Sequence, residues 1–267
     1  MTSPVLVERR DGVQWITLNR AERRNALNEE VVRLLREGIT AAVADRDCRA
    51  IVLTGAGDQA FCAGGDVKGF AATEGGANHG RSPEQASYSL RQNMEVSRWL
   101  HDMPKITIAA IPGAAAGAGL SIALACDFRL AAKGAKITTA FAKVGLSGDF
   151  GGTYFLTQLV GSAKAKELYL LSDVILAEEA ERLGVVNRTV EPAALQEEAL
   201  TLARRFANGA RITQGLMKKN LNTAEKGDLA LSFDTEAMNH SRSAQTADHA
   251  EAAKAFVEKR APVFKGR

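Results

Sequence analysis

Cysteine is scarce in this 267-residue chain, which has only Cys48, Cys62 and Cys126. An odd number with no metal-ligand spacing argues against a disulfide framework or a zinc cluster and points to a reducing compartment. Long basic runs are missing too. Lys and Arg total 34 against 31 Asp and Glu, a formal charge of +3. These charges are dispersed, with no Lys/Arg block interleaved with aromatics, so nucleic acid is not an expected partner, whereas small anionic ligands are compatible. The stretch MTSPVLVERRDG has no apolar signal core, and a cytoplasmic location is expected. One run, Ile106 to Cys126, is long enough to cross a membrane. Pro112 and three glycines interrupt it, and the composition is that of a globular protein, 46% hydrophobic and 24% charged, so no membrane span is expected. Carboxylates are also thin in one region. Between Asp102 and Glu167 the chain has only Asp127 and Asp149.

What is present alternates strand and helix signals. Val5–Val7 and Val13–Leu18 flank Asp11-Gly12, a hairpin signature. Asn19 to Arg24 is a polar loop with surplus positive charge. Asn28 can cap a helix whose apolar face is Val31, Leu34, Leu35, Ile39, Ala42 and Val43. Ala50–Thr54 reads as a buried strand, and the turn Phe61–Asp66 feeds a short helix from Val67 to Phe70. Thr73 to Arg81 has loop composition. Ser82, Pro83 and Gln85 form a helix start with a capping box, and that helix should run to His101. Phe128–Leu130 and Lys136–Thr138 suit short strands, and Gly145–Gly152 is a loop opening a helix from Thr153 to Val160. Helices over Ser162–Leu171 and Ala177–Leu183 and a strand over Val185–Val190 follow. From Pro192 the pattern is helical only. This makes 192 the candidate boundary between an α/β core, 1–191, and a helical region, 192–267, that can pack on its own core or on another subunit.

Ile106 to Cys126 is central. Ile106, Ile108 and Ile111 suit a buried strand, Pro112-Gly113 breaks it, and Gly117-Ala118-Gly119 opens an apolar helix. Such a turn presents backbone N–H groups with no intrahelical partner, and glycine lets a ligand atom approach them. Ile51 to Lys68 repeats the design, so donors from two turns could converge on one oxygen, as in an oxyanion hole. Plain tight connections are the alternative. Ile122 spoils a dinucleotide fingerprint. Ser121 lies too far past the strand for a nucleophile elbow, although a Ser hydrolase remains an alternative.

Four segments in order resemble the signatures of the crotonase superfamily, the enoyl-CoA hydratases and isomerases. They are Asn19-Arg20…Asn25-Ala-Leu27, Phe61-Cys-Ala-Gly-Gly-Asp-Val67, Gly113–Gly119 with Ala125-Cys-Asp127, and Gly151-Gly-Thr153…Leu159-Val-Gly161. The resemblance extends to Ala253–Arg260. It implies a crotonase-like α/β spiral of ββα units with a C-terminal helical trimerisation region, assembling as a homotrimer or dimer of trimers. It implies an acyl-CoA thioester as substrate and no separate cofactor or metal, coenzyme A arriving as part of the substrate. The oxyanion hole would be the backbone N–H groups of Gly65 and Ala118. Ala118 stands where the family usually has Gly, which a negative φ would permit. Ala63, Asp66 and Val67 would line the same turn, with Asp66 also reading as a helix cap. Arg24, Lys68 and, from a neighbouring subunit's tail, Lys259 match positions that meet coenzyme A phosphates or adenine.

The family's hydratases use two glutamates, and here Ser121 and Phe141 stand in their places. Neither transfers a proton as a carboxylate does, which leaves Ser121 as a pocket hydroxyl. Asp127 ends the central helix beside Arg129 and reads as structural. Asp149, in Gly148-Asp-Phe-Gly-Gly152, is either a turn or N-cap residue or the lone proton shuttle. Relatives with Asp in this position include phenylacetate-pathway isomerases of ring-epoxide and unsaturated acyl-CoAs. Chlorobenzoyl-CoA dehalogenases have it too, as nucleophile, but with Trp where this chain has Phe141. One acid can remove a proton at one carbon and return it at another, so an acyl-CoA isomerase is expected ahead of an enoyl-CoA hydratase or a non-catalytic acyl-CoA binder.

Overall fold

The computed structural model describes residues 2–66 and 80–267. The expected helix from Val67 to Phe70, His79 and most of the 73–81 loop lie outside the described residues.

Asp11 and Gly12 both have positive φ, 51° and 78°, the geometry a two-residue hairpin turn requires. They join β1 (Val5–Arg10) to β2 (Val13–Leu18) in antiparallel register. Asn28 caps α1 (Glu29–Ala44) by accepting from the Val31 N–H. The chain then winds as a spiral whose turns each give one strand to a large sheet and one to a small sheet. In order come β3 (Ala50–Gly55) and β4 (Ala60–Cys62), β5 (Ile106–Ile111) and β6 (Ala114–Ala116), then β7 (Phe128–Ala132) and β8 (Lys136–Thr138). The large sheet, closed by β10 (Arg188–Val190), has the order β1-β2-β3-β5-β7-β10 and is parallel from β2 onward. The small sheet is β4-β6-β8 with β9 (Ile175–Leu176) added antiparallel.

Strands buried on both faces are apolar throughout. In β3, Ile51 and Leu53 point to the core shared with α1 and the small sheet, while Ala50 and Val52 point to the opposite face. That second face is covered by α7 (Leu195–Ala207), through Leu195, Ala199, Ala203 and Ala207. The first helix after residue 192 thus packs on the large sheet itself.

The capping box at Ser82 and Gln85 forms as expected and starts α2 (Pro83–Asn93). The predicted single helix to His101 is divided at Met94, with α3 (Glu95–Asp102) following. The central helix α4 (Ala118–Leu124) begins after β6, a strand whose three alanines carry no β signal. Then come α5 (Gly152–Leu171), kinked at Gly161 where φ is 74°, and α6 (Ala177–Arg182). The expected strand over 185–190 is shorter, confined to β10. Helices α8 (Arg211–Ala224), α9 (Leu229–Ala244) and α10 (Ala247–Val257) end the chain. Among the described residues no helix is long and apolar enough to cross a membrane. Cys48, Cys62 and Cys126 are buried free thiols.

Candidate active site

The first glycine turn is lashed to the loop before α1. Leu27 N–H donates to Gly64 O at 2.8 Å, and Asp66 N–H donates to Leu27 O at 2.9 Å. In such a parallel bridge the flanking residues supply the bonds, so the Gly65 N–H points away from Leu27. Ala63 N–H donates to Arg24 O at 3.0 Å. Asn25, 1% exposed and in the left-handed region at φ 55°, binds three backbone groups of this loop and turn. Its Oδ1 accepts from Arg20 N–H, and its Nδ2 donates to Ala56 O and Ala60 O at 3.0 and 2.7 Å. Arg20 adds an ion pair to Asp66 at 3.0 Å, mostly shielded from solvent. The amides that Asp66 was expected to cap belong to residues outside the described ones.

The second turn rests against the first. Gly117 has φ 51° and ψ −128°, a combination a side chain opposes. A Cβ there would lie 3.9 Å from Gly64 Cα, and a Cβ on Gly64 would lie 3.6 Å from Ala118 N. Ala118 is the first residue of α4, in helical conformation, so its N–H has no acceptor within the helix and its side chain imposes no backbone strain. Gly119 lets α4 seat on β4, since a Cβ would come within 2.4 Å of Cys62 O.

A cavity of about 440 Å³ brings these turns to the third element. Among the described residues Gly65, Ala118, Asp149 and Phe150 line it, with Leu27, Val32 and Leu90 supplying apolar wall. Asp149 sits in the loop before α5, where Gly148, Phe150 and Gly151 all have positive φ. It does not cap that helix. Gly151 occupies the cap position with no side-chain bond, and Asp149 contributes only its carbonyl, accepting from Gly152 N–H at 3.0 Å. The Asp149 Oδ1 atom is buried without a hydrogen-bond partner. Burial pushes its carboxyl up from 3.8 to about 6, the range suited to a proton acceptor at neutral pH.

Ser121 and Phe141 are not among the residues lining this cavity. Ser121 is 1% exposed, and its hydroxyl donates to Gly117 O at 3.2 Å. Phe141 is buried and stacks on Tyr169, centroids 5.7 Å apart and planes 12° apart. Arg24 is exposed at the close of the first loop, and Lys259 is exposed just past α10, both with positive φ. Val67 and Lys68 are outside the described residues. A second carboxylate, which the sequence did not single out, lies on the cavity wall: Glu29, exposed and paired with Arg81 at 2.8 Å. Asp127 has a structural setting. It accepts from Thr107 N–H and from buried Lys218, each at 2.8 Å.

Sequence reasoning missed the holding roles of Arg20 and Asn25, although both sit in a motif it quoted. It also missed Tyr169, which no local pattern singles out.

A spiral with two touching glycine turns on one cavity, and a half-buried carboxylate lining that cavity from a later loop, has the architecture of the crotonase enzymes. The chain belongs to the Enoyl-CoA hydratase/isomerase family, whose pattern matches residues 8–267. It is 36% identical to the 1,2-epoxyphenylacetyl-CoA isomerase of Escherichia coli K12, over 96% of each chain. It is 34% identical to the short-chain-enoyl-CoA hydratase of Clostridium acetobutylicum, over 96% of this chain and 95% of that one. The crystal structure of an enoyl-CoA hydratase from Bacillus anthracis superposes with a TM-score of 0.91 at 31% identity, covering 99% of this chain and 100% of the other.

Proposed function

We propose that this protein is an acyl-CoA isomerase that moves a double bond, or opens a ring epoxide, in an unsaturated or aromatic acyl-CoA. The observation that carries this reading is Asp149, a half-buried carboxylate whose buried Oδ1 has no hydrogen-bond partner, in the cavity wall it shares with Gly65 and Ala118. In the double-bond shift, the Asp149 carboxylate removes a proton from one carbon of the acyl chain. The C–H electron pair moves into a dienolate whose negative oxygen is held by the Gly65 and Ala118 N–H groups. Each such donor is typically worth about 3 kcal/mol. The electrons then return to form a C–H bond at the other carbon with the proton Asp149 carries, so nothing is gained or lost.

Coenzyme A would lie along the first turn, past Ala63 and Val67, with Arg24, Lys68 and a neighbouring subunit's Lys259 meeting its phosphates or adenine. That arrangement needs a neighbouring subunit, as a homotrimer or dimer of trimers would supply. Exposed apolar side chains, Phe256 at 86% and Val257 at 80% on α10 and Leu170 at 73% on α5, suit burial against another copy. Light scattering is expected to give three or six copies at micromolar concentration, and a stable monomer would contradict the assembly.

A second reading, hydration, is supported by the 34% relative named as a hydratase. It asks one carboxylate both to activate water and to supply the carbon's proton. The two readings separate by mass. Incubated with a panel of unsaturated and aromatic acyl-CoAs, the protein should yield products of unchanged mass. Products heavier by one water would replace isomerisation with hydration, and no turnover of any panel member would reject both.

A further inference from the structure

Asp149 has a second orphan beside it. The hydroxyl of Tyr169, near the C-terminal end of α5, is also buried without a hydrogen-bond partner. Its position is fixed by two glycines of the Asp149 loop. A Cβ on Gly148 would stand 3.0 Å from Tyr169 Oη, and a Cβ on Gly152 would stand 2.5 Å from it. The missing side chains on both sides of Asp149 therefore leave the room that the phenol occupies. Ser121 Oγ lies in the same space, 2.3 Å from the Gly152 Cβ position. Its own hydrogen goes to Gly117 O, however, and although it is near enough to ease ionisation of the phenol, no properly directed bond joins the two hydroxyls. The Tyr169 ring is held from behind by its stack on Phe141.

We propose that Tyr169 is the positioning residue of the proton transfer, its hydroxyl donating to the Asp149 carboxylate whenever that group is ionised. A buried donor without an acceptor and a buried acceptor without a donor border one glycine turn, and buried polar groups as a rule find partners. Hydrogen bonds of catalytic groups are often long in the unliganded enzyme and tighten on substrate binding. The phenol stays protonated throughout, because burial, with Asp149's charge adding to it against Ser121, pushes it up to about 12. Among the described residues the other titratable groups near Asp149 do not compete. Cys62, on β4, is a thiol that burial pushes up to about 12, and Glu29 on α1 and Arg81 ahead of α2 neutralise each other. This inference rests on Asp149 being the acid/base group only for its catalytic meaning.

The test is a carbon-13 titration of the Asp149 carboxyl in full-length protein, with the signal assigned by its loss in Asp149→Asn. Tyr169→Phe keeps the ring and its stack and removes only the hydroxyl. The Asp149 midpoint should rise by about one pH unit or more, the size a charge-assisted bond gives. The acid limb of kcat/KM should rise with it by the same amount. If Tyr169→Phe folds poorly, biosynthetic 3-fluorotyrosine offers a second route. Its more acidic phenol is the stronger donor and should lower the midpoint. An unmoved midpoint in folded Tyr169→Phe, or in the fluorinated protein, would overturn the proposal and leave Tyr169 a packing residue. If Asp149→Asn proved fully active, the catalytic reading would fail separately, and the titration would still decide whether Tyr169 serves Asp149.

Discussion

Asp149→Asn is expected to lower kcat on the best substrate by about 10²–10⁴-fold, the typical contribution of a positioned acid–base group. The swap is nearly isosteric and leaves the Gly65 and Ala118 amides in place, so acyl-CoA affinity should change little. Ser121→Ala, assayed beside it, should cost less than about tenfold, because that hydroxyl is engaged with Gly117 O behind the cavity wall. The same carboxylate should also have a stability signature. Its folded-state pKa is raised from 3.8 to about 6, so the protein binds this proton more tightly folded than unfolded. The favourable contribution is full below pH 3.8 and is lost as pH rises through about 6. At pH 7 the ionised, buried Asp149 therefore costs up to about 3 kcal/mol, less what solvent contact and any donor recover. Asp149→Asn should raise the denaturation midpoint at pH 7 and lose that advantage near pH 4. An active variant, or one stabilised equally at both pH values, would contradict this account of the site.

Lys218→Met should be the most destabilising of the substitutions considered. Lys218 is buried on α8, and its ammonium donates to Leu100 O at 2.8 Å, Lys105 O at 3.2 Å and Asp127 Oδ2 at 2.8 Å. These bonds tie the helical region to the end of α3, the start of β5 and the junction of α4 with β7. Removing one partner of a buried ion pair strands the other, and the usual cost is about 3–5 kcal/mol. Adding Asp127→Asn, which removes the stranded charge, should recover part of that loss. Urea midpoints at one pH and one protein concentration measure both effects, since assembly makes stability concentration-dependent. A midpoint unchanged in Lys218→Met would mean that the pair holds nothing. Specific activity of the folded protein should survive, because neither Lys218 nor Asp127 lines the Asp149 cavity.

The elements that carried strong local chemistry were readable in advance. Asp11-Gly12 made its hairpin turn, Asn28 and Ser82 capped their helices, and Gly117-Ala118 opened the central helix as the pattern required. The family was legible because its glycine turns and the Asn19–Leu27 segment are short and ordered. Other features depend on distance along the chain. Arg20 meets Asp66 from 46 residues away and Lys218 meets Asp127 from 91, and no local window predicts either pairing. Strand β6 is three alanines, a sequence with no β preference, and it exists because β4 and β8 flank it. At the site, elimination of carboxylates singled out Asp149 but overlooked Glu29, which a helix start brings to the cavity wall. Phe141 read as a lost glutamate, whereas in the fold it is the surface on which Tyr169 stacks.

The most direct measurement of the central claim, that one carboxylate moves the proton, uses a substrate from the isomer-forming set of the panel. It carries deuterium at the carbon that loses its hydrogen and is converted in a single turnover with enzyme in excess. A lone Asp149 shuttle predicts that part of the deuterium appears at the carbon that gains hydrogen, in product of otherwise unchanged mass. Deuterium carried to the second carbon to the same extent by Asp149→Asn would contradict it, because the transfer would then run through another group.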